Sequence, residues 1–280
     1  MTFVGIDFSG DQNQWNPSNQ ASNVWVAEAR AAGNGALSVT DLRRVQQLPG
    51  QGRPFARLAM WLSAGNFQAA AIDAPFSVPW WFFRNGLAGH AALLATVNGL
   101  PLGGARDFPT GNDFIASVAP PAGVPFEFSK PLRVTESYWR GRRVNIRSTV
   151  WAGVRPGVPF ASACTKLLAN AARPIWPWAS GPSPLIEAFP AAQLRHWGLC
   201  FAGYNGLAGQ TNRNAIVADL EKNRGLQVSA NQRARIQANA DALDAVLCVY
   251  AARAVSLGQL GVPLPGFACH ALEGWIAVHG

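Results

Sequence analysis

The chain reads as an α/β protein: a mixed sheet flanked by helices, with a large insertion between the fourth and fifth strands. Three observations predict this. Short apolar runs closed by turn residues recur at Thr2 to Phe8, Asn23 to Glu28, Ala36 to Gln46, Ala69 to Asp73 and Leu185 to Ala188, as buried strands do. Helix-spaced apolar residues fill Pro54 to Ala64 and Ala240 to Ala254, and between Pro75 and Pro184 the regular signal gives way to Gly- and Pro-rich sequence.

Taken in order, Thr2 to Phe8 is closed by Ser9-Gly10 and places Asp7 at the strand's end. The next two strands are separated by Gly33-Asn34-Gly35, a link short enough to favour antiparallel pairing. Pro54 to Ala64 carries Pro in its first turn and Leu58, Trp61 and Leu62 on one face, which predicts an amphipathic helix. A right-handed crossover through that helix returns Ala69 to Asp73 parallel to the first strand. If these two strands are neighbours, Asp7 and Asp73 lie side by side at their carboxyl ends, where α/β sheets form clefts.

Beyond Pro75, helices are expected at Trp80 to Val97 and Phe160 to Ala171, within sequence that otherwise reads as a cover over the cleft. Residues 98–159 are expected to form an irregular insertion within a single domain spanning 1–280. Leu185 to Ala188 is a short strand, followed by helices at Pro190 to Trp197 and Asn214 to Asn223. In the last helix Leu243, Val246, Leu247, Tyr250, Ala251 and Ala254 form a broad core-facing stripe. Asp244 lies at its margin, and Asp241 one turn earlier lies further toward the polar side.

The 280 residues are 49% hydrophobic, enough for a large core. A net charge of +8 with pI near 10 favours an anionic partner such as nucleic acid or a phosphorylated substrate. Cys164, Cys200, Cys248 and Cys269 make no C-x-x-C pair, which excludes a zinc ribbon and a dense disulfide framework and fits a reducing cytoplasm. The apolar N-terminus has no basic leader. The best membrane candidate, Ala59 to Phe83, is interrupted by Gly65-Asn66, Asp73, Pro75 and Pro79, so no membrane partner is expected.

Only 15 residues are Asp or Glu, yet Asp7, Asp73, Glu187 and Asp244 each sit against apolar runs. A carboxylate buried without a partner costs several kcal/mol, on the order of 1–7 for polar groups and more for ions. Taken singly, Asp7 or Asp73 could cap a turn and Asp244 could be a solvated flank residue. Together they suit hard-cation binding, with Mg²⁺ or Mn²⁺ held by carboxylate oxygens, and two such ions about 3.5–4 Å apart are the basis of one mode of phosphoryl transfer.

The segments Gly5-Ile6-Asp7-Phe8-Ser9-Gly10, Ala71-Ile72-Asp73-Ala74-Pro75-Phe76-Ser77, Ile186-Glu187-Ala188-Phe189-Pro190 and Asp241-Ala242-Leu243-Asp244-Ala245 together resemble the family of predicted nucleases called domain of unknown function 429. The blocks occur in the family's order and span nearly the whole chain, except for Leu100 to Pro184. The resemblance implies a ribonuclease-H-like mixed sheet and a catalytic metal site on Asp7, Asp73, Glu187 and Asp244. It adds Asp241 as a further ligand candidate, because Holliday-junction resolvases of that superfamily use two acids one turn apart on their last helix. The implied activity is metal-dependent phosphodiester hydrolysis of nucleic acid.

The insertion carries Arg133, Arg140, Arg142, Arg143 and Arg147 among Tyr138, Trp139 and Trp151. Guanidinium groups meet phosphates and aromatic faces stack on bases, so Arg140, Arg142, Arg143, Arg147 and Trp139 are the candidate nucleic-acid contacts. A solvated hairpin with arginines lying over its aromatics is the plainer reading. Two other functions stay open: an ATP-binding phosphotransferase of the actin and sugar-kinase kind, with only Gly103-Gly104 as a weak phosphate loop, and a non-catalytic nucleic-acid-binding protein.

Overall fold

The computed structural model describes residues 1–33, 35–84, 87–104, 106–118, 132–146, 161–265 and 270–280. Six strands are present: β1 (Thr2–Asp7), β2 (Trp25–Ala31), β3 (Leu37–Arg44), β4 (Ala69–Asp73), β5 (Leu185–Ala188) and β6 (Leu226–Gln227). The helices are α1 (Pro54–Ala64), α2 (Trp80–Arg84), α3 (His90–Gly99), α4 (Gly111–Val118), α5 (Val134–Arg140), α6 (Ala161–Ala171), α7 (Pro190–His196), α8 (Gln210–Asn223), α9 (Ala230–Ala238), α10 (Ala240–Leu257) and α11 (His270–Glu273).

The strands form one mixed sheet in the order β5-β4-β1-β2-β3-β6. β1, β2 and β3 run as an antiparallel meander, and β4 returns parallel to β1. β5 is parallel to β4, and β6 is parallel to β3. This is the α/β sheet and strand sequence that the apolar runs predict, with β6 added at the edge.

Alternate residues of the central strands feed two cores. Phe3, Ala27, Ala29, Ala69 and Ala71 pack under α10 with Leu243, Val246 and Cys248. Val4, Ile6, Val26, Ala70 and Ile72 pack on the other face with Phe55, Leu58 and Leu62 of α1 and Leu167 and Ala171 of α6. Strands covered on both sides read as continuous apolar runs instead of alternating ones, which is why they stand out in the sequence.

α1 starts at Pro54 and ends at Gly65, φ 65°, matching the preference for Pro at the first helical position and Gly past the end. α10 is capped by Asn239, whose side chain accepts from the Ala242 amide, and it runs to Gly258, φ 65°. Ala242 to Ala254 are all buried, so this helix is the spine of one layer. The continuous helix expected from Trp80 to Val97 is instead α2 and α3, the second starting after Gly89, φ 110°.

β3 stops at Arg44, where Val45–Gln47 turn as a short 3₁₀ helix. Helices α4 and α5 lie within the segment expected to be irregular, while 119–131 and 147–160 are outside the described residues. α9 gives no apolar spacing signal because only Ile236 of its nine residues is buried. Among the described residues no helix is long and apolar enough to cross a membrane. The stretch from Ala59 to Phe83 is divided between α1, β4 and α2. Cys164 and Cys248 are buried and Cys200 exposed, all as free thiols.

Candidate metal centre

Asp7 and Asp73 are the last residues of β1 and β4, and the parallel register places them directly opposite one another. Paired residues of neighbouring strands project to the same sheet face. The row Ala188, Asp73, Asp7, Trp25, Arg44 therefore runs across five strands at one end of the sheet. It lies on the α10 side, two residues on from Gly5 and Ala71.

Gly5 sets how near α10 can come. A Cβ there would sit 2.0 Å from the Ala245 carbonyl oxygen and 2.6 Å from the Val249 nitrogen. Backbone therefore packs directly on backbone, and Asp244, next to Ala245, is carried to the strand ends. One oxygen each from Asp7, Asp73 and Asp244 lie within 4.8 Å of one another. Asp7 is 8% exposed and Asp244 9%, and Asp73 is half-buried.

Among the described residues, none of the three carboxylates has an ion-pair partner, while the Tyr204 hydroxyl donates to Asp244 Oδ1 at 2.9 Å. Burial raises the Asp7 carboxyl well above its usual range, and Asp244, Asp73 and Asp241 add to the rise. Burial followed by the charges of Glu187 and Asp241 pushes Asp73 up to about 7. Asp244 is raised by burial and by Asp73, with the Tyr204 bond opposing. A buried set of acids that raise one another's pKa must hold protons or bind a cation, and this carboxylate cluster could hold a metal ion. Oxygen-only donors suit a hard cation.

Asp241 is half-buried one turn before Asp244. Burial raises its carboxyl, and the nearby Arg44 and Arg213 oppose that rise. It stands beside the converging trio as a neighbouring charge, not as a member of it.

Glu187 is placed differently from the expected ligand shell. It pairs in register with Ile72, whereas Ala188 pairs with Asp73; a one-residue offset puts a side chain on the opposite sheet face. There its oxygens accept from Arg133 Nη1 at 2.8 Å and Arg133 Nη2 at 2.5 Å, and from the Phe76 amide at 3.1 Å. Arg133 also bonds Glu136 at 2.8 Å and the Glu273 carbonyl at 3.0 Å. This arginine is 1% exposed, so it ties α5, β5 and α11 together and is not part of a basic rim.

Trp139 is likewise buried, at 1% exposure, in a cluster with Val144, Ala192 and Trp275. It has no free face for a base, which corrects the expectation of stacking there. Arg140, Arg142 and Arg143 are exposed. Arg142 lies over the Tyr138 ring at 3.5 Å, an arginine over an aromatic as in the plainer reading but on helix α5 and the turn after it, not on a hairpin, and Arg140 donates to the Ile146 carbonyl at 3.0 Å. Arg147 and Trp151 lie outside the described residues.

Residue patterns alone do not point to Tyr204 or to the internal role of Arg133. Tyr204 sits in an irregular Gly-rich stretch with no periodic signal. Gly5 does carry one: a glycine inside an apolar strand marks close backbone approach. Arg133 and Glu136 stand three residues apart, a spacing shared by many exposed helix pairs.

A model of the family described as a protein of unknown function (DUF429) matches residues 5–266, a stretch that includes Asp7, Asp73, Glu187, Asp241 and Asp244. No curated protein and no solved structure matches the chain. With the match running from β1 past the end of α10, the chain belongs to the DUF429 family.

Proposed function

We propose that this protein is a divalent-metal-dependent nuclease that hydrolyses phosphodiester bonds of nucleic acid at a carboxylate site on a ribonuclease-H-like sheet. The observation that carries the reading is the convergence of Asp7, Asp73 and Asp244, with no cationic partner among the described residues, at the carboxyl ends of adjacent parallel strands. The element order supports the fold assignment: an antiparallel meander, a crossover helix, then strands parallel to the first.

In this reading Asp7, Asp73 and Asp244 hold Mg²⁺ or Mn²⁺, which when bound supplies charge for the phosphate oxygens and an acidified water. The protein's own part is positional. β1 and β4 fix two carboxylates through backbone pairing, Gly5 lets α10 deliver the third, and Tyr204 orients Asp244 by its hydroxyl. Because these acids hold protons unusually well, metal must displace them, and affinity rises with pH. Asp241 adds negative charge beside the site, and Glu187 supports it from the other face through Arg133.

The test is cleavage of a panel of DNA, RNA, hybrid and branched substrates in Mn²⁺, by the native chain and by Asp7→Asn. Cleavage that vanishes in the variant while its circular dichroism is unchanged supports the reading. An uncut panel, or equal cutting by the variant, removes it.

A further inference from the structure

Beside the acids, Trp25, Arg44, Gln47, Arg235, Ala238 and Asn239 line a pocket of about 300 Å³. Its position follows from the sheet. Arg44 ends β3 in the same cross-strand row as Trp25 and Asp7, so its Cα lies about 10 Å from that of Asp7, at about 4.8 Å per strand. Arg235 and Ala238 close the opposite wall from the end of α9, and Asn239 is the cap residue of α10.

The lining is dominated by donors. Arg44 is held over the Trp25 ring, 4.7 Å from its centroid, with Nε donating to the Ser22 carbonyl at 2.9 Å. Arg235 donates through Nη1 to the Leu42 carbonyl at 2.9 Å. Among the described residues neither arginine forms a salt bridge. Trp25 is 5% exposed, so its ring backs the pocket wall beneath Arg44, and among the described residues its enclosed indole N–H has no acceptor. The amino end of the 18-residue α10 adds positive potential, which Asp241 in its first turn, near Arg44, partly offsets.

We propose that this pocket is a phosphate subsite, in which Arg44, held over the Trp25 ring, and Arg235 hold the sugar-phosphate backbone of a nucleic-acid strand next to the bond presented to Asp7, Asp73 and Asp244. The substrate class rests on the nuclease reading; the anion preference rests on the lining itself. The two neighbouring regions have opposite charge requirements. The acids repel a phosphate until a cation is bound, whereas the pocket attracts one unaided. A strand is therefore anchored by the arginines independently of metal, and these residues position the substrate without touching the reacting phosphate.

Binding of fluorescein-labelled oligothymidylate and oligouridylate, followed by anisotropy in EDTA across a range of salt, tests this without cleavage. Arg44→Gln combined with Arg235→Gln should weaken binding about tenfold and flatten the slope of log K against log salt by about 0.7 for each phosphate no longer neutralised. Arg44→Lys combined with Arg235→Lys should keep most of the slope, which separates the effect of charge from that of packing over Trp25. Unchanged affinity and slope in the double Gln variant, or no binding by the native chain, overturns the proposal. Mn²⁺ cleavage is read separately: a chain that binds through the arginines but never cuts keeps the subsite and loses the nuclease, and a chain that cuts with the arginines irrelevant does the reverse.

Discussion

Two groups of buried acids flank the same end of the sheet, and they are neutralised in opposite ways. On one face Glu187 and Glu136 close around Arg133, a cation supplied by the chain itself. On the other, Asp7, Asp73 and Asp244 converge, and among the described residues only the Tyr204 hydroxyl offsets their charge. The difference separates an internal tie from a candidate binding site. A buried charge network that is satisfied internally holds elements together, whereas one left without a cation is a place for something to bind.

Changing the second group should have the largest effect. Asp7→Asn removes a ligand and a charge together, and cleavage in Mn²⁺ should fall roughly a thousandfold, about 4 kcal/mol of barrier. The same variant should unfold at a higher temperature than the native chain in EDTA at neutral pH, because it relieves repulsion with Asp73 and Asp244. A drop in that unfolding temperature would mean that Asp7 is already neutralised inside the fold.

Arg133→Met makes the first group resemble the second. It leaves Glu187 and Glu136 buried without their cation, a loss of roughly 3–5 kcal/mol in urea unfolding. Substitution of Glu187 together with Arg133 by apolar residues should recover part of that loss, as a self-contained ion pair allows and a metal ligand would not.

Gly5→Ala tests how the cluster is assembled. The new Cβ meets the Ala245 carbonyl, so α10 must shift, and overpacking of this kind costs about 1–3 kcal/mol. Mn²⁺ affinity should fall with stability, since Asp244 travels with the helix. Retained affinity would show that Asp244 is not needed at the site.

The apo protein also carries a pH signature. Unfolded carboxyls titrate near 4, whereas burial and neighbouring charge hold Asp73 up to about 7. The folded state binds more protons between those values, so this contribution to stability is complete below about pH 4 and is lost as pH rises through about 7. Unfolding temperature in EDTA should decline across that interval, and Mn²⁺ should cancel the decline. The smallest expected effect belongs to Arg140→Gln, an exposed side chain that among the described residues bonds only a carbonyl: nucleic-acid affinity should change by a few-fold at most and stability by about 0.5 kcal/mol or less.

The sheet is legible in the sequence because its central strands are apolar on both faces and closed by turns, and Asp7 and Asp73 are legible as neighbours because one crossover makes β1 and β4 parallel. Glu187 looks equivalent because it also ends an apolar run. Its face depends on the register between β4 and β5, which 111 residues of intervening chain leave open. Arg133 resembles the exposed arginines that follow it, and only the packing of α5 against β5 and α11 separates them. Trp139 sits among surface residues in the sequence yet is buried in a cluster with Trp275, more than a hundred residues away. Local pattern thus locates acids at strand ends, while the identity of the partner each one meets is decided by tertiary contacts.

Titration calorimetry of Mn²⁺ into the native chain and into Asp7→Asn, at about pH 8 where the cluster's protons are most readily displaced, tests the central claim most directly. Saturable binding by the native chain, accompanied by proton release and abolished in Asp7→Asn, is the predicted result. Absence of binding, or equal binding by the variant, would contradict it.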